Sequence, residues 1–225
     1  MGNLQENIVP ATNQNRTNYF HEEGRGIRVL FVGNSITRHG PRADIGWDSD
    51  WGMAASSIEN DYLHRLVAKI RGFDPDMAWS IAQVAPFEWD FANVDPAESY
   101  PEAVAFEADI IIMFFGANVP KTYDTDPAPQ MKFGDAYEKM RNAFVGGRED
   151  VFVCHGQGFY IRPVLDEEKR AVARRCGDAF VELGDIQTRP ETHGRYNHPN
   201  DRGMEEIAAA FWQVLEPAVK RKTGK

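Results

Sequence analysis

Three short stretches carry side chains able to act on an acyl group. Gly33-Asn34-Ser35-Ile36-Thr37 places a serine on a tight glycine-containing turn, where its hydroxyl and its own backbone N–H can face the same ligand. Gly116-Ala117-Asn118 offers a side-chain amide directly after the most apolar run in the chain. His198-Pro199-Asn200-Asp201-Arg202-Gly203-Met204 sets a histidine just before an amphipathic segment. Together they supply the parts of acyl transfer: Ser35 as nucleophile, His198 as base, and Asn118 with backbone N–H groups as donors to a developing oxyanion. Each stretch alone also reads as plain structure. A glycine turn ends many strands, asparagine tolerates left-handed turns, and a histidine can cap a helix. Only a fold that gathers the three makes them a site.

The surrounding pattern predicts such a fold. Residues 27–32 are a short β-branched run stopping at Gly33, the pattern of a buried strand. Residues 77–84 and 109–115 read as further strands, the latter apolar on both faces, as in a parallel sheet covered by helices. Residues 151–154 and 179–183 supply two more. Between them lie helical faces. Ser56 and Glu59 read as a capping box for the face Tyr62, Leu63, Leu66, Val67 and Ile70, which stops at Gly72. Phe133, Tyr137, Met140 and Phe144 form a second, and residues 165–176 a third. Met204, Ile207, Ala208, Phe211, Trp212 and Leu215 form the last, with Asp201 as its expected N-cap. The alternation predicts a three-layer α/β/α sandwich with about five parallel strands. Residues 27–225 make one domain, preceded by a polar, aperiodic arm of residues 1–26 that lies over it or over a second copy in a homo-oligomer. Ligands in such sheets collect beyond the carboxyl ends of the strands, where all three stretches fall.

Composition removes several alternatives. The 225 residues carry 25 basic and 34 acidic side chains, a formal charge of −9, with no long Lys/Arg run. Nucleic acid is therefore not the expected partner, and an anionic membrane would repel the chain. No apolar stretch approaches the roughly 20 residues needed to span a bilayer. The first twenty residues hold no signal-peptide core, so the expected location is cytoplasmic. Cys154 and Cys176 lack the spacing of a disulfide framework or zinc site, so no metal or other cofactor is expected. GNSITRHG does not form a dinucleotide fingerprint, which weakens a nucleotide-binding reading.

With GNSIT, GAN and HPNDRGM in this order on this pattern, the sequence resembles the SGNH (GDSL-like) hydrolases. The resemblance covers nearly all of the chain after the arm. It implies a flavodoxin-like sandwich and metal-free hydrolysis of a small-molecule ester or thioester. By the family's pattern Ser35 is nucleophile and oxyanion donor through its N–H, Asn118 a second donor, and His198 the base. Two positions depart from that pattern. The aspartate usually found three residues before the histidine is Arg195 here. Glu191, Glu88 or a backbone carbonyl in the 195–197 turn are the candidates to support the imidazole. The loop after the second strand, Val84-Ala85-Pro86-Phe87-Glu88-Trp89, lacks the family's oxyanion glycine, so the N–H of Phe87 is the candidate replacement.

Residues 38–57 form a long insertion carrying Trp47 and Trp51, similar to a segment that follows GNSIT in one branch of the superfamily. Loops of this length often serve as lids or binding surfaces. Tryptophan faces suit sugar rings, so a carbohydrate ester is one expected substrate. Asn34, Gly116, Phe87, Glu88, Trp47, Trp51 and Arg195 are the candidate substrate-binding residues. The expected activity is a serine esterase removing a short acyl group. Its rivals are a catalytically impaired binding protein of the same fold and an acyltransferase to a sugar hydroxyl.

Overall fold

Successive residues of the first parallel strand go to opposite cores: Val29 and Phe31 join one, Leu30 and Val32 the other. A strand that buries both faces needs a layer on each side, and the computed structural model, which describes residues 18–126 and 128–225, has both. The elements run β1 (Asn18–Glu22), β2 (Arg28–Gly33), α1 (Tyr62–Arg71), β3 (Ala78–Gln83), α2 (Ala85–Trp89), α3 (Pro96–Ser99), α4 (Pro101–Ala105), β4 (Ile110–Phe114), α5 (Phe133–Val145), β5 (Phe152–Gly156), α6 (Pro163–Cys176), β6 (Ala179–Val181) and α7 (Asp201–Thr223). The sheet order is β1-β3-β2-β4-β5-β6, with β2 to β6 parallel and β1 antiparallel to β3.

One core packs α1 and α7 on the sheet through Leu63, Leu66, Ile207 and Phe211. The other packs α4, α5 and α6 through Ala103, Tyr137, Met140 and Val172. The chain starts the parallel part at β2, adds β3 on one side, then crosses back to place β4 on the other. That reversal opens a crevice between the carboxyl ends of β2 and β4. Ser35 follows β2 and Asn118 follows β4, so topology alone puts them side by side.

Some local expectations are corrected. Residues 18–22, assigned to the aperiodic arm, pair with β3 as an edge strand with a bulge between Phe20 and Glu22; residues 1–17, and any contact they make with another copy, lie outside the described residues. The cap of α1 is Asp61, whose carboxylate accepts from the His64 N–H at 2.7 Å, because a 3-10 turn at Ile58–Asn60 separates Ser56 from the helix. The cap of α7 is Asn200, accepting from the Gly203 N–H at 3.0 Å. Asp201 instead accepts from the Ser56 N–H at 2.7 Å and hydroxyl at 2.6 Å, tying the insertion to the helix.

Candidate active site

The turn that carries Ser35 is built by close approach. A Cβ on Gly33 would sit 1.7 Å from Thr37 Oγ1, so only glycine lets the chain fold back there. The Asn34 carbonyl accepts from the N–H groups of Thr37 and Arg38, at 2.9 and 3.0 Å. The Asn34 side-chain oxygen accepts from the Ile36 N–H at 3.1 Å. Thr37 Oγ1 meets the buried Tyr62 hydroxyl at 2.7 Å, anchoring the turn to α1. Ser35, half-buried at the apex, lies with its Oγ 2.8 Å from His198 Nε2.

His198 has a neutral partner on its other side. Its Nδ1 is 2.9 Å from the Tyr196 carbonyl. A carbonyl only accepts, so Nδ1 carries the proton and Nε2 is left with the lone pair that receives the serine hydroxyl. Burial lowers the His198 pKa below 6.5, keeping the ring in its basic form near neutrality. The carbonyl is aimed by unusual backbone: Tyr196 and Asn197 sit at φ of 59° and 58°. Left-handed conformations at non-glycine residues cost energy and persist where the surroundings fix them. Here the Tyr196 hydroxyl donates to the Ile45 carbonyl at 2.7 Å and Arg195 Nη2 to the Gly46 carbonyl at 3.2 Å, with the guanidinium 4.9 Å from the centre of the Tyr196 ring. The insertion thus clasps the histidine loop.

Glu191 is exposed and its carboxylate lies 3.8 Å from Arg189, while the imidazole Nδ1 is taken by the Tyr196 carbonyl. Arg195, exposed, is held to the insertion through the Gly46 carbonyl. The tryptophans are likewise committed to structure. Trp47, only 5% exposed, donates to the His39 carbonyl at 2.8 Å. Trp51 donates to the Ala55 carbonyl at 2.9 Å, and the two indoles pack edge-to-face with centroids 5.9 Å apart. A stacking platform needs an open ring face, which Trp47 does not have.

The opposite side of the crevice is organised around Glu88, which is fully buried. Its Oε1 accepts from Asn34 Nδ2 at 2.9 Å, from the Gly116 N–H, and at 3.4 Å from the Asn118 N–H. Its Oε2 accepts from Asn118 Nδ2 at 2.5 Å. Burial pushes the Glu88 pKa up while these four donors pull it down, the burial effect being the larger. Gly116 is at φ +128°, a conformation that a side chain would strain, and this turns its N–H onto the carboxylate. Phe87 buries its ring against Phe115 and Phe133. In the first turn of α2, the Ala85 N–H is taken by Gln83 Oε1 at 2.8 Å and Pro86 has none. The Phe87 N–H therefore lies outside the helical ladder, as first-turn donors do.

Beneath the crevice lies a buried cation that sequence reasoning passed over. Lys169 bridges the carboxyl ends of two strands, donating to the Gly156 carbonyl at 3.0 Å and to the Phe115 carbonyl at 3.4 Å, and pairs with Asp166 at 2.8 Å. Its position was readable: Leu165, Lys169 and Val172 share one helical stripe, and the two apolar members are in the core. Tyr160 meets the His198 ring edge-on, centroids 6.3 Å apart, and burial pushes its pKa up to about 12. His155 turns away from the crevice, contacting the Tyr137 hydroxyl and Asp178, each at 2.9 Å. Gln157 is used structurally, accepting from the Leu183 N–H at 2.8 Å. Among the described residues no group of three or more His, Cys, Asp or Glu is arranged to hold a metal, and no helix is long and apolar enough to cross a membrane.

No protein-family model and no curated protein matches the sequence. The three-dimensional likenesses are clear. The chain superposes on a protein described as a GDSL-like lipase from Bacteroides ovatus with a TM-score of 0.59 at 14% identity, covering 86% of this chain and 100% of that one. A family two carbohydrate esterase from Clostridium thermocellum, solved in complex with cellohexaose, gives 0.61 at 16% identity over 88% of this chain and 66% of its own. An acetyl esterase carrying a serine-to-alanine mutation and holding acetate gives 0.50 at 15% identity over 87% and 99%. The fold is that of the SGNH (GDSL-like) hydrolases.

Proposed function

We propose that this chain is a serine ester hydrolase of the SGNH type, releasing a short acyl group from a small or carbohydrate ester through an acyl-serine intermediate. The observation that carries the reading is the line Ser35 Oγ to His198 Nε2 to Tyr196 carbonyl, at 2.8 and 2.9 Å. Ser35 Oγ attacks the ester carbonyl while His198 Nε2 takes its proton. The imidazolium that forms is held by the Tyr196 carbonyl in place of an aspartate. The negative charge on the tetrahedral oxygen is met by the Ser35 N–H and by the Asn118 Nδ2 hydrogen that Glu88 leaves free, with the Phe87 N–H as a further donor. Collapse expels the alcohol, which receives the proton from His198. Water then attacks the acyl-serine by the same route in reverse, freeing the acid and Ser35.

The acetyl and carbohydrate esterases among the structural neighbours support a short acyl group and a sugar-containing alcohol. A purely binding protein of this fold has no need of a serine hydroxyl on an unprotonated imidazole nitrogen. The deciding experiment treats the purified protein with a fluorophosphonate probe and, separately, with p-nitrophenyl acetate. Wild type labels and turns over, and Ser35→Ala does neither. Equal labelling of the two would remove Ser35 as nucleophile. Acceptor sugars added to the assay separate hydrolysis from acyl transfer.

A further inference from the structure

We infer that Glu88 is the positioning residue of the oxyanion side, fixing which end of the Asn118 amide faces the bound ester and holding it in register with the nucleophile turn. The inference rests on the esterase reading and adds a group to it. A side-chain amide is nearly symmetric in shape but opposite in chemistry at its two ends. Turned one way, Asn118 offers N–H to an oxyanion; turned the other, it offers a carbonyl oxygen that repels one. An ionised carboxylate only accepts hydrogen bonds. Oε2 therefore selects Nδ2 of Asn118, at 2.5 Å, and leaves the second hydrogen of that nitrogen free. Oε1 at the same time holds Asn34 Nδ2 at 2.9 Å, one residue before the nucleophile, and the Gly116 N–H, two residues before the amide. One buried side chain thus ties together the ends of β2 and β4.

A carboxylate is costly to bury, and four donors arranged around it offset part of that cost. The buried Lys169 ammonium adds a favourable charge nearby, its field acting on Glu88. For packing alone an apolar residue would serve with no such provision. Every partner of Glu88 described above belongs to one of the two turns that would carry the reacting groups.

The test is a double-mutant cycle with Glu88→Gln and Asn118→Ala, assayed on p-nitrophenyl acetate beside thermal melts and fluorophosphonate labelling. Glutamine keeps its oxygen where the three donors to Oε1 converge and so turns its NH2 group onto Asn118 Nδ2, and the Asn118 amide has to turn over or swing aside. Glu88→Gln is expected to lower kcat by about 10²-fold, the cost of one oxyanion donor, with KM within about threefold. The double mutant is expected to be no slower than Asn118→Ala alone, because both remove the same donor. Labelling of Ser35 should persist in Glu88→Gln, more slowly. A kcat for Glu88→Gln within about twofold of wild type, or losses that multiply in the double mutant, overturns the inference. Glu88→Asp keeps the buried charge and covers the case in which glutamine prevents folding. It is too short to hold both turns, and its expected loss is about tenfold in kcat; wild-type kcat in this variant would equally defeat the proposal. Ser35→Ala, run alongside, separates the two levels: if it retains turnover, the esterase mechanism itself has failed.

Discussion

The two walls of the crevice are held by different physics. On the Asn118 side, a carboxylate with no solvent exposure gathers donors from two strand ends, above a lysine that is 1% exposed. On the His198 side, an exposed loop is held by neutral backbone carbonyls: Tyr196 on the imidazole, Ile45 on the tyrosine hydroxyl and Gly46 on Arg195. The resemblance to SGNH hydrolases leads one to expect charge behind the histidine. In this molecule a buried carboxylate, Glu88, stands behind the Asn118 amide instead. On the proposed mechanism, orientation and not charge is what His198 takes from its partner, with the loop geometry fixed by the insertion.

That contrast can be broken at either wall. Asn118→Ala should cost about 10²–10³ in kcat with a folded protein, the usual penalty for one oxyanion donor, and a loss below about fivefold would show that the amide does not meet the oxyanion. On the histidine side the sharpest handle is pH. Burial lowers the His198 pKa from 6.5, so the basic form survives into mild acid. The kcat/KM profile should rise through one ionisation below 6.5, fall about tenfold per unit under it, and be flat above about pH 7. A midpoint above 6.5 would indicate a carboxylate partner that stabilises the imidazolium. Tyr196→Phe removes the clasp to Ile45 but keeps the carbonyl; one hydrogen bond is worth about 0.5–1.5 kcal/mol, so kcat should fall by up to about tenfold. An unchanged rate would mean the left-handed turn holds itself. Glu191→Gln is the smallest expected effect, under about twofold in kcat/KM, and a large loss there would restore a carboxylate to the histidine.

Sequence patterns show the parallel strands and the four long helical faces because each buries a periodic apolar set, as in Ile110–Phe114 or Met204 through Leu215. Asn18–Glu22 is too polar for that signal, with two adjacent aromatics in place of alternation. The helices α2 to α4 escape because four or five residues are too few to show a helical period. At the site, Ser35, Asn118 and His198 are legible as residue types on motifs. The Tyr196 carbonyl is not, since every residue has one, and only the backbone angles reveal which is aimed at the imidazole. Glu88 was legible as a candidate but not as an organiser, because its four donors come from segments 28 and 54 residues away. Trp47 differs from its sequence expectation for a physical reason: an indole among glycines looks available, whereas its ring is buried inside the insertion, with Trp51 half-buried beside it.

The antiparallel strand β1 has a consequence for how copies of this protein meet. It occupies the outer edge of β3, all six residues of which are buried. Left bare, that edge would present a row of unpaired donors and acceptors, a template onto which any extended chain could zip. With Asn18–Glu22 in place, that border of the sheet passes to a strand whose register shifts between Phe20 and Glu22, a poorer template for a neighbour than the regular edge of β3.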